Sequence, residues 1–118
     1  QKRGVKEQKE YEILTAEISK ATFGVTPSEY KKLKGLKRQN LRDHMNDLEL
    51  IFNMLGERVT TEISQQEKPG TFVENKNVAE RGGSVAGNAR KQTEKELGRP
   101  IVSKDNYLPK SEDKKKLK

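Results

Sequence analysis

Apolar residues recur along most of this chain at helical rather than strand spacing. Tyr11, Leu14, Ile18 and Ala21 fall at i, i+3, i+7 and i+10, one face of an α-helix, and predict a first helix over 7–22. Gly24 follows and suits a C-terminal cap. Thr26-Pro27-Ser28-Glu29 is a start signal. Thr26 can cap, Pro27 fits the first helical position, and Glu29 can reach back to the Thr26 backbone N–H. The helix it opens is short, with Tyr30 and Leu33 facing inward and Gly35 as its end, and a third short helix holds Leu41 and Met45.

Asn46-Asp47-Leu48-Glu49 repeats the start signal and opens what reads as the longest helix, 46–65. Leu48, Ile51, Phe52, Leu55, Val59 and Ile63 line one face, widened by Leu50 and Met54, so this helix is expected at the centre of the core. Residues 41–59 also keep a 4-3-4-3-4 apolar spacing. That run spans under three heptads and crosses the Asn46 cap, so bundle packing is the better reading than a coiled coil.

Lys68-Pro69-Gly70 reads as a turn, and Thr71-Phe72-Val73-Glu74 starts another helix. Gly82-Gly83 is expected to interrupt it, with Ser84 capping a last helix through Leu97 and Gly98 as the stop. The apolar face there is thin, carried by Val85, Ala89 and Leu97, while Ala86 and Gly87 would permit close helix approach. Arg99-Pro100-Ile101-Val102 reads as extended, since proline restricts the residue before it. Residues 109–118 have almost nothing to bury and are expected to be a disordered basic tail. The pattern as a whole predicts an all-α domain over 1–108, a small bundle of five or six helices. Because the chain begins with Gln1 rather than Met, it is expected to be part of a longer protein.

Composition narrows the function. Of 118 residues only 30% are hydrophobic while 36% are charged, so the core must be thin or part of the chain disordered. The formal net charge is +7 and the pI near 9.6, a balance that attracts polyanions such as nucleic acid, though a basic surface also serves solubility alone. With no cysteine there is no disulfide framework, thiolate metal site or Cys nucleophile, and a cytoplasmic setting fits. The single histidine, His44, cannot form a two-His metal site, and Glu57, Glu62 and Glu67 stand among helical polar positions without a clustered partner. We therefore expect no enzymatic activity, no cofactor, no metal, no small-molecule substrate and no membrane span.

Two segments are candidates for binding. Between Tyr30 and His44 stand Lys31, Lys32, Lys34, Lys37, Arg38 and Arg42 against one acid, Asp43. Two short helices joined near Gly35 would carry them, reminiscent of a helix-turn-helix. Lys and Arg there would neutralise phosphates, and Gln39 and Asn40 could reach base edges. The plainer reading is a solvated basic face. The second segment, Arg81 to Lys91, has glycines that could expose backbone N–H groups to a phosphate. No Lys-Ser/Thr pair follows Gly87 and no strand precedes the run, so neither a Walker loop nor a dinucleotide fingerprint is present. A helix break with close packing is the better reading of those glycines.

Several separate blocks resemble one family: Glu12 to Ala21, Lys34-Gly35-Leu36-Lys37, Asn40-Leu41-Arg42-Asp43, Asp47-Leu48-Glu49-Leu50, Thr60 to Ser64, and Gly82-Gly83 to Arg90. Over about residues 1–108 the chain resembles the region that follows the BRO-type N-terminal domain in bacterial prophage antirepressor-like proteins, some of them labelled DNA-damage-inducible protein D. The resemblance implies a regulatory, DNA-associated protein whose usual DNA-binding domain would precede Gln1. It carries over no catalytic motif. Two functions are thus expected to compete: a weak, non-specific nucleic-acid-binding module using the 31–42 cluster, or a protein-interaction or oligomerisation module that does not itself contact DNA.

Overall fold

The computed structural model describes residues 2–103, with side chains from Lys6 onward. The described chain is all-α. It comprises α1 (Lys2–Phe23), α2 (Pro27–Leu33), a single 3-10 turn (Leu41–His44), α3 (Asp47–Glu67) and α4 (Phe72–Leu97), with no strand among these residues. The four helices fall short of the expected five or six. The expected basic tail, 109–118, lies outside the described residues.

Local chemistry sets the helix starts. The Thr26, Asn46 and Thr71 side chains each accept from the backbone N–H three residues on, and Glu29, Glu49 and Glu74 each reach back to the cap. These reciprocal bonds satisfy two otherwise orphan donors at each helix end. Two of the four helices end differently. α4 stops at Gly98 in the left-handed region, φ 72°, whereas α3 ends on Lys68 at φ 49°, a conformation that a side chain disfavours.

Gly82 and Gly83 do not interrupt anything. α4 is continuous for 26 residues and is the longest helix, exceeding the 21 of α3. The glycines form its packing face. A Cβ on Gly82 would overlap the Thr60 hydroxyl and lie 2.7 Å from the Thr60 backbone nitrogen. On Gly83 it would lie 2.7 Å from the Ile18 carbonyl oxygen, and on Gly87 it would overlap that of Ala21. A helical glycine costs about 1 kcal/mol against alanine, but here it lets two helix backbones approach α4 directly. Ser84, expected as a cap, is an exposed mid-helix residue.

These contacts fix the directions. Ile18 meets Gly83 while Thr22, further along α1, bonds Arg90 of α4, so α1 and α4 run together. Gly56 lies by Ala86 while Thr60 lies by Gly82, so α3 runs opposite. All three helices meet at Gly56, where a Cβ would stand 3.2 Å from Ile18 and 3.5 Å from Ala86. A bidentate Arg81–Glu67 pair at 2.6 and 2.8 Å ties α3 to α4, and its hydrogen bonds hold the Glu67 carboxyl below its ordinary range.

The apolar core gathers at one end of this bundle, from Phe23, Tyr30, Met45, Phe52 and Ile101. Tyr11, expected inward, is two-thirds exposed at the mouth of the cleft between α1 and α3. Ile51 is likewise outside, because the inward stripe of α3 runs through the buried Phe52 and Gly56 and the half-buried Leu48 and Leu55, with about 100° of turn between successive residues. Leu33, Val85 and Leu97 are also exposed. Small residues rather than these fill the inner face of α4: Val78, Ala79 and Ala86 are buried along with the glycines.

Beyond Gly98 the chain leaves the helix and crosses the core end as a strap. Ile101 is buried among the core aromatics. Its N–H donates to Glu94 Oε2 at 2.9 Å, and the Ser103 N–H donates to Glu49 Oε2 at 3.0 Å. The strap thus joins α4 to the start of α3.

Candidate nucleic-acid interface

The cationic segment begins on α2, whose last turn carries Lys31 and Lys32. Tyr30 and, four residues on, Lys34 at the C-cap point inward. The chain then turns at Gly35, buries Leu36 and brings Lys37 and Arg38 out to solvent. Gln39 Oε1 accepts from the Lys37 N–H at 2.8 Å, and Asn40 Oδ1 accepts from the Arg42 N–H at 2.9 Å. Both amide oxygens hold the turn that presents Lys37 and Arg38. Bidentate reading of adenine uses that same oxygen together with the amide NH2, so neither side chain is set to read a base as it stands.

The six cations divide into three kinds. Lys31 is half-buried, and Lys32, Lys37 and Arg38 are exposed; none of these four forms an ion pair with an acid among the described residues. Arg42 pairs with Glu57 at 3.3 Å, both about half exposed, a contact worth about 0–1 kcal/mol that a phosphate could displace. Lys34 is the correction. Its side chain is 0% exposed, its ammonium lies 3.0 Å from Glu49 Oε1 and 5.6 Å from the centre of the Tyr30 ring, and no phosphate reaches it. The inner face of α2 takes it because Lys34 follows Tyr30 by one helical turn.

Glu49 is the hub of that buried group. Its carboxylate accepts from the Tyr30 hydroxyl, from Lys34, from the Asn46 N–H at 2.9 Å and from the Ser103 N–H. Four donors satisfy a fully buried charge. Burial first, and then the neighbouring carboxylate, push the Tyr30 phenol well above its ordinary range. The start signal at 46–49 disclosed Glu49 as a cap; its second set of partners comes from residues 15, 19 and 54 positions away and has no local signature.

His44 is buried at the end of the 3-10 turn. Among the described residues no group of three His, Cys, Asp or Glu could hold a metal ion, and no helix is long and apolar enough to cross a membrane. A cleft of about 410 Å³ between α1 and α3 is lined by Tyr11, Ile18, Met45 and Thr60 among others. The Thr60 hydroxyl is buried against Gly82 without a hydrogen-bond partner among the described residues.

Charge is distributed unevenly about the Gly56 level. On the core side, residues 18–56 and 86–103 hold 11 Lys and Arg against 6 Asp and Glu. On the other side, residues 6–17 and 57–85 hold 6 against 9. The 31–42 segment therefore sits in a cationic half of the molecule. So do Lys91 and Lys95 on the exposed side of α4, which the glycine pattern of that stretch obscured in the sequence.

No protein-family model, no curated protein and no solved structure matches the chain.

Proposed function

We propose that this chain is a non-catalytic module of a DNA-associated regulator of the prophage antirepressor type, the part that follows its N-terminal DNA-binding domain. It binds nucleic acid weakly and largely irrespective of sequence through Lys31, Lys32, Lys37 and Arg38, with Arg42 beside them. The observation that carries this reading is the set of four cations, without an ion-pair partner among the described residues, on one short helix and its following turn within the cationic half of the bundle. The block-wise resemblance to the antirepressor-like family supports the regulatory context.

The test is a salt titration of duplex binding. Each phosphate neutralised adds about 0.9 to the slope of log affinity against log salt. Reversing Lys37→Glu and Arg38→Glu together should flatten that slope and weaken binding to all sequences alike, while thermal unfolding stays nearly unchanged, since exposed charges contribute little to folding. Unchanged affinity and slope would reduce the cluster to a solvated face.

A second reading, a protein-interaction or oligomerisation module, is favoured by one feature. Ile51 and Met54 stand three apart on the outer side of α3, each more than half exposed. Adjacent exposed apolar side chains mark contact surfaces more often than isolated ones do. A solution mass above that of one chain, lost on Ile51→Ser and Met54→Ser substitution, would select this reading.

A further inference from the structure

The stretch from Arg81 to Lys91 is one side of a continuous helix packed by its glycines, and its other side is accounted for by nothing above. Asn77, Arg81, Ser84, Asn88, Lys91 and Lys95 are all exposed and follow one another at spacings of four and three. Such a row drifts only about 20° per heptad, so it stays on one face of α4. From Asn77 to Lys95 it runs about 27 Å at 1.5 Å per residue. Its composition is amide, hydroxyl and cation. No acid occurs between Glu80 and Glu94, and Glu94 is itself held by Arg90 at 2.9 Å and by the Ile101 N–H. Arg81 is engaged by Glu67, which leaves Ser84, Asn88, Lys91 and Lys95 as the part of the row with no side-chain partner among the described residues. Asn88, Lys91 and Lys95 lie in the cationic half of the bundle, with Arg99 just beyond them.

We propose that this outward face of α4 is a second contact with duplex DNA, with Lys91 and Lys95 on phosphates and Ser84 and Asn88 donating neutral hydrogen bonds in the major groove. The inference rests on the nucleic-acid reading above and assigns it a further surface. Three properties point to duplex DNA. The row is convex and helical, and a major groove about 12 Å wide admits a helix of about 10–12 Å diameter. The groove of an A-form RNA duplex is too deep and narrow for side chains to read. The row lacks aromatic residues, which are the usual platforms for unpaired bases. Close packing on the glycine side fixes the helix that presents these groups, so their spacing is set before any ligand arrives.

The experiment compares four proteins in salt titrations against one B-form duplex, its single strand and an RNA duplex of the same sequence: the unaltered chain, Lys91→Gln with Lys95→Gln, Asn88→Ala, and Lys37→Glu with Arg38→Glu. The Lys91/Lys95 pair should lower the salt slope by about 1.8, two phosphates' worth. Asn88→Ala should weaken binding about two- to tenfold, as loss of a neutral hydrogen bond does, and leave the slope alone. The DNA duplex should bind tighter than either other ligand. All three altered residues on α4 are exposed, so circular dichroism melts should lie close to that of the unaltered chain, with Asn88→Ala slightly higher from the helix propensity of alanine. If the Lys91/Lys95 pair matches the unaltered chain in slope while the Lys37/Arg38 pair does not, the α4 face is overturned and the 31–42 reading stands. If only the α4 substitutions matter, the α4 face stands and the 31–42 cluster is the solvated one. No binding by the unaltered chain overturns both, and preference for the single strand or the RNA duplex overturns the groove contact.

Discussion

Glu49 serves at once as the third residue of a helix and as the counter-ion of Lys34. Removing one member of a buried pair leaves an uncompensated charge, which costs about 3–5 kcal/mol. Lys34→Met should therefore destabilise the domain by about that much in urea unfolding, while Lys34→Met with Glu49→Gln should lose less, since no buried charge remains, although the single amide oxygen can accept from only one of the Asn46 and Ser103 N–H groups. The contrast with its neighbours is instructive: Lys32 and Lys37, equally basic in the sequence, should tolerate the same change within about 0.5 kcal/mol. Tyr30 gives a pH signature. Its phenol titrates higher in the folded than in the unfolded chain, so its contribution is fully present below the unfolded value of about 10 and is lost as pH rises from there. The midpoint of thermal unfolding should fall more steeply between pH 9 and 11 for the native chain than for Tyr30→Phe; parallel declines would assign the loss to other groups.

Helix starts were legible because a capping box needs only four consecutive residues, and all three were placed where they occur. The Gly82-Gly83 pair was misread for the complementary reason. Its local preference is against helix, and the gain that reverses that preference comes from α1 and α3, tens of residues away in sequence. The same long-range origin explains Ile51 and Tyr11. Periodicity finds an apolar stripe but cannot say which edge of it a neighbouring helix covers. Gly82→Ala and Gly87→Ala should each destabilise by about 1–3 kcal/mol or more, because the added methyl meets backbone that cannot step aside. Ser84→Ala, at an exposed position of the same helix, should be stabilising by a few tenths of a kcal/mol from propensity alone, about 0.5 at most. Chemical denaturation of the three variants checks both signs together.

At the scale of the whole molecule, composition yields a net charge of +7 but not its location. Residues 6–103 hold 17 Lys and Arg against 15 Asp and Glu, so most of the excess belongs to the chain ends and the body is nearly balanced. What the body has is asymmetry, with cations gathered on the core side of Gly56. That arrangement, invisible in a total, is what makes the 31–42 segment a candidate interface, and the burial of Lys34 trims it to the cations that solvent reaches. Deleting 109–118 should leave the unfolding midpoint in place and reduce the salt slope of DNA binding less than the Lys37/Arg38 reversal does. Glu112 and Asp113 offset two of the five lysines in that segment. A larger effect from the deletion would move the interface to the chain end.

The strap across the core end also governs when the domain can close during synthesis. Glu49 waits for the Ser103 N–H, which lies 54 residues later in the chain, and the core aromatics wait for Ile101. At about 5–20 residues per second a ribosome needs roughly 3–11 s to cover that interval. Throughout it the emerging chain holds a carboxylate short of a donor and an unfilled apolar site. The core end beneath the strap is therefore complete only once residue 103 has cleared the exit tunnel.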